Sequence, residues 1–92
     1  MIVTTTSTIP NKEIKSIISV VHNRVVLEVN TINGISADKL TKTTDDVIDG
    51  LTKKALELKA DALIDLKIDA VIFDNSEWVV TAIGTAVLLK TE

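Results

Sequence analysis

Hydrophobic and polar residues alternate along residues 62–72, and this period of two predicts a β-strand with one buried face. One series of positions is apolar throughout, whereas Asp65, Lys67 and Asp69 interrupt the other. Residues 78–89 are apolar, small or threonine on both faces. We therefore predict two adjacent antiparallel strands, of which the second needs cover on both of its sides.

The register of this pair follows from a turn at Asp74-Asn75-Ser76, a cluster of turn-forming residues. With that turn, three members of the apolar series lie opposite small residues. The series is Ala62, Ile64, Leu66, Ile68, Ala70 and Ile72, and the pairs are Leu66 with Gly84, Ile64 with Ala86 and Ile68 with Ala82. Large side chains opposite small ones leave room for a helix to pack across this face.

The first third of the chain is also rich in β-branched residues. Residues 2–6 form a short run of them, and the turn signal Pro10-Asn11 comes next. Residues 14–21 and 24–30 follow, separated by His22-Asn23, and we predict a β-hairpin with a two-residue turn there. Because it lacks glycine, this turn signal is weaker than Asn-Gly would be.

After Asn33-Gly34 the apolar period changes from two to steps of three and four, which is typical of a helix. The residues on this face are Leu40, Thr44, Val47, Leu51, Ala55 and Leu58. The pattern predicts either one helix from about residue 37 to 60, with Ser36 as N-cap, or a short turn and a helix from residue 44. Gly50 lies inside the pattern and should cost roughly 1 kcal/mol relative to alanine.

Composition and charge exclude several classes of protein. Of the 92 residues 35 are β-branched and none is cysteine, which favours strands and excludes disulfides and thiolate metal sites. The net charge is −3 without a basic cluster, so we expect no nucleic-acid partner. Without an apolar run of membrane length or a signal peptide, we expect no membrane partner and a cytoplasmic location. The prediction is one α+β domain, residues 1–92, with a small antiparallel sheet and one main helix packed on one face.

Candidate chemistry is sparse and is concentrated on the predicted pair of strands. Asp65, Lys67 and Asp69 should project from one strand face, near Thr81 and Thr85 across the pair. They could form an oxygen-ligand site for a hard cation or a polar pocket in an assembly. The alternative is an ion-pair ladder, solvated or at an interface, in which Lys67 neutralises its neighbours.

His22 is the single imidazole and therefore the candidate nitrogen ligand for a metal, although a histidine at a turn is more commonly an exposed polar residue. With so few soft ligands, we expect no tight binding of soft divalent ions. No catalytic motif is present, so we expect neither an enzyme nor a cofactor. A flavin-storage function would depend on Trp78 alone as the residue that stacks on the ligand. The competing hypothesis is a small enzyme whose site forms between subunits from Asp65, Asp69 or His22.

Self-association is predicted by the last strand, whose face away from the helix is apolar at most positions. Left uncovered, this face would expose an apolar patch on a domain that is short of core, and a second copy of the chain is the simplest cover. The predicted oligomer interface consists of Trp78, Val79, Ile83, Val87 and Leu89.

Several segments together resemble the YbjQ-like family, to which heavy-metal binding is ascribed. They are Val3-Thr4-Thr5-Thr6-Ser7-Thr8-Ile9-Pro10 with Ile14 after it, Val20-Val21, Leu58-Lys59-Ala60-Asp61-Ala62-Leu63-Ile64, and Gly84-Thr85-Ala86-Val87. The chain departs from the family pattern at Lys59, where glycine is usual, and in residues 31–50, which are shorter and lack a Gly-Gly pair.

The resemblance implies a small α+β subunit, similar in outline to the dodecin-type arrangement, that assembles as a ring, typically a pentamer. We therefore expect a non-catalytic homo-oligomeric binding or scaffold protein. Its partner is its own copy, and a metal ion or small ligand, if it has one, would sit at a subunit interface.

Overall fold

The structure is a computed structural model that describes residues 1–28, 37–72 and 77–91. Its elements in chain order are β1 (Ile2–Val3), β2 (Ile14–Glu28), α1 (Ala37–Glu57), β3 (Ala62–Ile72) and β4 (Glu77–Leu89). The strands form one sheet in the order β1-β3-β4-β2, in which β4 is antiparallel to both neighbours and β1 is parallel to β3. The predicted α+β class and one main helix are confirmed within these residues, and their sheet is mixed rather than antiparallel.

The predicted hairpin at His22-Asn23 is wrong, because β2 runs through both residues as one strand of 15 residues. His22 pairs with Ile83 and Asn23 with Ala82, so the long β4 holds both halves of β2 in one ladder. No residue in this stretch requires a positive φ, and the β-branched residues on either side favour continued extension. The predicted breaks at Asn33-Gly34 and at residues 74–76, and the N-cap Ser36, lie outside the described residues.

Helix α1 is one continuous helix, so the alternative start at residue 44 is wrong. Thr44 lies inside it and its hydroxyl donates to the backbone oxygen of Leu40, one turn earlier, at 2.9 Å. Val47, Leu51 and Ala55 on the predicted face are fully buried, whereas Leu58 lies beyond the helix end and is exposed. The helix therefore covers the middle of the sheet with three consecutive turns.

The main core lies between this helix and one face of the sheet. Its buried members are Val21, Val47, Leu51, Ala55, Ala60, Leu63, Leu66, Val80, Ala82 and Ala86. A polar contact crosses the same interface, since the side-chain amide of Asn23 donates to the backbone oxygen of Val47 at 3.1 Å. Gly50 is necessary for this contact, because a Cβ there would collide with the Asn23 amide. The glycine that breaks the helical pattern thus makes room for a residue of β2.

A β-bulge in β3 changes the predicted register. Ile68 pairs with Ala82 as predicted, but Ile64 pairs with Thr85 instead of Ala86, and the ladder is interrupted between Ile64 and Lys67. Asp65 lies in the bulge with φ of 53°. The extra residue moves Ala62 and Ile64 to the face opposite the helix while Leu66 stays in the main core, so the predicted single-faced apolar series is also wrong.

The N-terminal segment crosses the face of the sheet that the helix leaves free. Pro10 and Asn11 form the predicted turn: Lys12 donates to the backbone oxygen of Ile9 at 3.1 Å, and Asn11 has φ of 64°. Proline followed by asparagine with positive φ is the signature of a type II turn. The segment buries Ile9 in a second cluster with Ala62, Ile64 and Val87. We call residues 4–13 the strap.

Candidate functional site

The candidate site is the face of the sheet opposite α1, which we call the open face. On β4 the residues at even positions from 80 to 86 line the core, so the alternate residues point to the open face. The register then places residues of three strands side by side in rows across it. Three rows are Val26–Val79–Val71, Arg24–Thr81–Asp69 and His22–Ile83–Lys67, and Val20 with Thr85 begins a fourth.

Apolar side chains on this face are largely accessible to solvent in the single chain. Val20 is 59% exposed, Val26 and Val71 are each 54% exposed, and Ile83 is 42% exposed. Their burial elsewhere would be worth about 1.5–3 kcal/mol for each side chain that becomes fully covered. The open face therefore carries an exposed apolar patch beside charged residues.

The structure keeps part of the predicted polar cluster together on the open face of one chain and separates the rest. Asp69 pairs with Thr81 and Lys67 with Ile83, while Thr85 pairs with Ile64. Asp65 lies in the bulge, where its backbone N–H donates to the backbone oxygen of Thr6 at 3.0 Å. In the described part of the chain, Lys90 and Glu13 form an ion pair at 3.1 Å, whereas Lys67 forms none. The predicted ion-pair ladder around Lys67 is therefore absent from that part of the single chain.

His22 lies in the middle of β2 and is exposed on the open face, in the row of Ile83 and Lys67. Its backbone oxygen accepts a hydrogen bond from Lys54 Nζ of the helix at 2.7 Å. The imidazole is thus exposed as expected, but on a strand rather than a turn. Among the described residues no three histidine, aspartate or glutamate side chains come together in a way that could hold a metal ion.

The five predicted interface residues divide into three groups. Val79 and Ile83 lie on the open face and are partly or largely exposed. Val87 is on the same side of β4 but is fully buried under the strap, and Leu89 packs against that cluster. Trp78 is on the helix side, paired with the buried Leu27. A partner could therefore newly cover Val79 and Ile83 but not Val87.

Several open-face residues were missed by the sequence reasoning. The predicted hairpin divides Val20 from Arg24 and Val26, and Val71 lies in the series of β3 that Asp65, Lys67 and Asp69 interrupt. The signal that could have found them is a weak period of two through residues 20–27, in which Val21, Val25 and Leu27 belong to one series although Asn23 interrupts it.

Asp61 follows the helical pattern that ends at Leu58 and precedes the alternation that begins at Ala62, which predicts that it bonds a donor at the turn into the strand, and a side-chain hydrogen bond of Asp61 confirms this. Its carboxylate accepts a hydrogen bond from the backbone N–H of Leu89 at 2.9 Å, and its own N–H donates to the backbone oxygen of Val87 at 2.9 Å. The residue therefore fastens the start of β3 to the end of β4, next to the region covered by the strap.

The same junction explains how the helix ends. Ala60 donates to the backbone oxygen of Ala55 at 3.1 Å and Lys59 to that of Leu56 at 2.9 Å, and Lys59 has φ of 62°. This is the Schellman arrangement, in which glycine is the usual residue at the left-handed position. Lys59 thus occupies the conformation for which the family resemblance expects a glycine.

The described part of the chain is a small α+β fold with one helix on a four-stranded mixed sheet. It has an exposed apolar face and no group of side chains that could hold a metal ion, so its class is defined by the fold. The family model described as the YbjQ-like domain of C2 domain-containing protein 5 matches residues 1–91. The chain belongs to this YbjQ-like family.

Two relatives cover nearly all of the chain. The UPF0145 protein of Geobacillus kaustophilus is 31% identical over 105 aligned residues, covering 99% of this chain and 100% of the relative. The UPF0145 protein of Listeria ivanovii is 30% identical over 108, covering 100% of this chain and 98% of the relative. Both alignments are longer than the 92 residues of this chain, so it lacks positions that these relatives have.

A solved structure shares the fold. It is a protein of unknown function of the DUF74 family from Pediococcus pentosaceus, with a TM-score of 0.79, 26% sequence identity and coverage of 98% of both chains. In the described part of this chain, α1 is too polar to be a membrane-spanning helix.

Proposed function

We propose that this chain is a non-catalytic binding or scaffold protein that works as a homo-oligomer, assembled through the open face of its sheet. The observation that carries the proposal is the set of apolar side chains in adjacent rows of that face, Val20, Val26, Val71, Val79 and Ile83. An exposed apolar patch rimmed by polar residues is typical of a protein–protein contact.

The number of copies comes from the family resemblance, which points to five. A small domain of this size gains from assembly, because a lone copy buries a modest share of its surface. A ring of copies would cover the open face and the free edges of the sheet together. A ligand, if the protein binds one, would sit between copies, where several chains contribute polar groups.

The competing hypothesis is an enzyme whose site uses Asp65, Asp69 or His22. In one chain His22 and Asp69 lie on β2 and β3, the two strands on either side of β4, so about two strand spacings of ~4.8 Å separate their backbones. Asp65 is in the bulge, further along β3. Such a site would need groups from more than one copy, so we favour the non-catalytic function.

Substitution of Ile83 by lysine tests the proposal. We expect the wild-type chain to scatter light as a multiple of its 9.9 kDa mass, and Ile83→Lys to scatter as a single chain, because it puts an unpaired charge in the contact. Leu56→Lys is the matched control, since Leu56 is 56% exposed on the helix, away from the open face, and should stay assembled. A wild-type mass of one chain at micromolar concentration would refute the proposal.

A further inference from the structure

The row Arg24–Thr81–Asp69 places opposite charges on the two sides of the open face. Arg24 lies on β2, at one edge of the sheet, and Asp69 on the half of β3 that β1 does not pair with. With Thr81 of β4 between them, their backbones are about 10 Å apart, two strand spacings. Both side chains are exposed, and within the described part of the chain neither makes a hydrogen bond or an ion pair.

The neighbouring rows show what a contact through this face would bring together. On one side is the apolar row Val26–Val79–Val71, and on the other is His22–Ile83–Lys67. A contact that joins the β2 side of one copy to the β3 side of another places valine near valine and arginine near aspartate. It also places Lys67 near His22.

We propose that Arg24 of one copy pairs with Asp69 of the next in a head-to-tail contact between copies of this chain. The inference rests on the self-association proposed above and names its orientation. A contact between two β2 sides would put two copies of Arg24 and no Asp69 in the interface, and one between two β3 sides would put two copies of Asp69 and no Arg24 there. Both of those contacts are disfavoured, because juxtaposed like charges suppress the wrong pairing. A contact between unlike sides repeats from copy to copy and closes as a ring when the rotation allows it.

We assign this contact between copies to side chains. A continuous ladder of backbone hydrogen bonds between β2 and a strand of the next copy is not part of it. Lys54 Nζ already bonds the backbone oxygen of His22, so part of the backbone of this edge strand is occupied by the helix. Charged side chains at an edge also discourage unspecific pairing with other strands. Arg24 and Asp69 would then select the partner, while the apolar row beside them supplies buried area.

A charge swap tests this contact. We expect Arg24→Glu and Asp69→Arg each to weaken self-association about tenfold or more, measured by light scattering over a dilution series. The double variant should return to within about threefold of the wild type, because it restores the pair with its signs exchanged. Lys53→Glu, at an exposed position of the helix, is the control for the change in net charge and should have little effect. Circular dichroism verifies that each variant is folded.

The outcomes separate this inference from the proposal on which it rests. If the wild type is assembled and Ile83→Lys separates it, but neither charge reversal changes the dissociation, the Arg24–Asp69 contact is refuted and self-association stands. Failure of the double variant to recover also refutes the contact. If a reversal prevents folding, Arg24→Gln and Asp69→Asn replace it, with an expected weakening of about threefold. A wild type that is monomeric refutes both proposals.

Discussion

The open face of the sheet has a covered half and an uncovered half, and valine and isoleucine occur in both. At the covered end Val87 is fully buried, because the strap brings Ile9 onto Ala62 and Ile64. At the other end Val26 and Val71 are each 54% exposed beside Val79. The uncovered half also carries the charged residues Arg24, Lys67 and Asp69, but its valines are of the same type as the buried Val87. The path of a ten-residue segment decides which of them is core and which is available to a partner.

The face of the sheet that the helix covers should show the largest loss in free energy of unfolding. Leu51 is fully buried in the main core, so Leu51→Ala should lower the free energy of unfolding by roughly 2–5 kcal/mol. Leu56→Ala on the same helix should change it by less than about 0.5 kcal/mol, because Leu56 is 56% exposed. Urea unfolding of both variants measures the difference. Equal losses would mean that the helix packs by a different face.

The strap contact should carry a smaller but clear share of stability. We expect Ile9→Ala to cost about 2 kcal/mol, since it removes the side chain that covers Val87. The control is Ile17→Ala: Ile17 pairs with Val87 on β2 but is 67% exposed, and its loss should cost little. The same unfolding measurement applies. A neutral Ile9→Ala would show that the covered half is open in solution, and the distinction between the halves would be lost.

The hydrogen bond between Asp61 and Leu89 should contribute less to stability than the apolar contact of Ile9 beside it. Asp61→Ala removes the acceptor for the Leu89 N–H and should cost roughly 0.5–2 kcal/mol. Asp61→Asn retains a side-chain oxygen and should recover part of that loss. Thermal denaturation of the two variants measures both losses. An unchanged melting midpoint in Asp61→Ala would remove the role assigned to the hydrogen bond between Leu89 and Asp61.

Asn23 and Gly50 are in contact on the helix side of the sheet. The effect of Gly50→Ala on stability should therefore change sign when Asn23 is replaced. Gly50→Ala should cost about 1 kcal/mol in the wild type, since overpacking against Asn23 outweighs the gain in helix propensity. In an Asn23→Ala background the same change should stabilise by up to about 1 kcal/mol. A double-mutant cycle measures the coupling. Additive effects would mean that the two residues do not touch.

These contacts also show where sequence reasoning succeeds and where it stops. Helix α1 and the role of Asp61 follow from local signals, namely an apolar face of period 3.6 and a polar residue between two patterns. The hairpin prediction failed at His22-Asn23 because a turn without glycine is a weak local signal, and the long ladder to β4 overrides it. Local propensity contains no information about a partner strand 60 residues away.

The bulge at Asp65 limited the prediction of the site in a different way. Alternation assigns every second residue to one face, so one extra residue in a strand reverses the assignment for all residues on one side of it. Ile64 and Leu66 therefore belong to different clusters although their spacing predicts one face. A bulge has no strong signature in a single sequence. The strap was missed for a related reason, since nothing local to Ile9 indicates Val87 as its contact.

The smallest expected effect is a gain, and it comes from Lys59. This lysine holds φ of 62° at the helix end, a conformation that costs most residues free energy but suits glycine. Lys59→Gly should therefore raise the free energy of unfolding by about 0.5–1 kcal/mol. The gain is limited because glycine has greater freedom in the unfolded chain, which offsets part of the relieved backbone strain.

Lys59→Ala removes the same charge but keeps a Cβ, so it should bring no gain. If both variants stabilise equally, the charge of Lys59 and not its backbone conformation is the unfavourable feature. If neither does, the Schellman ending does not strain Lys59, and the departure from the family's glycine at this position costs the chain nothing.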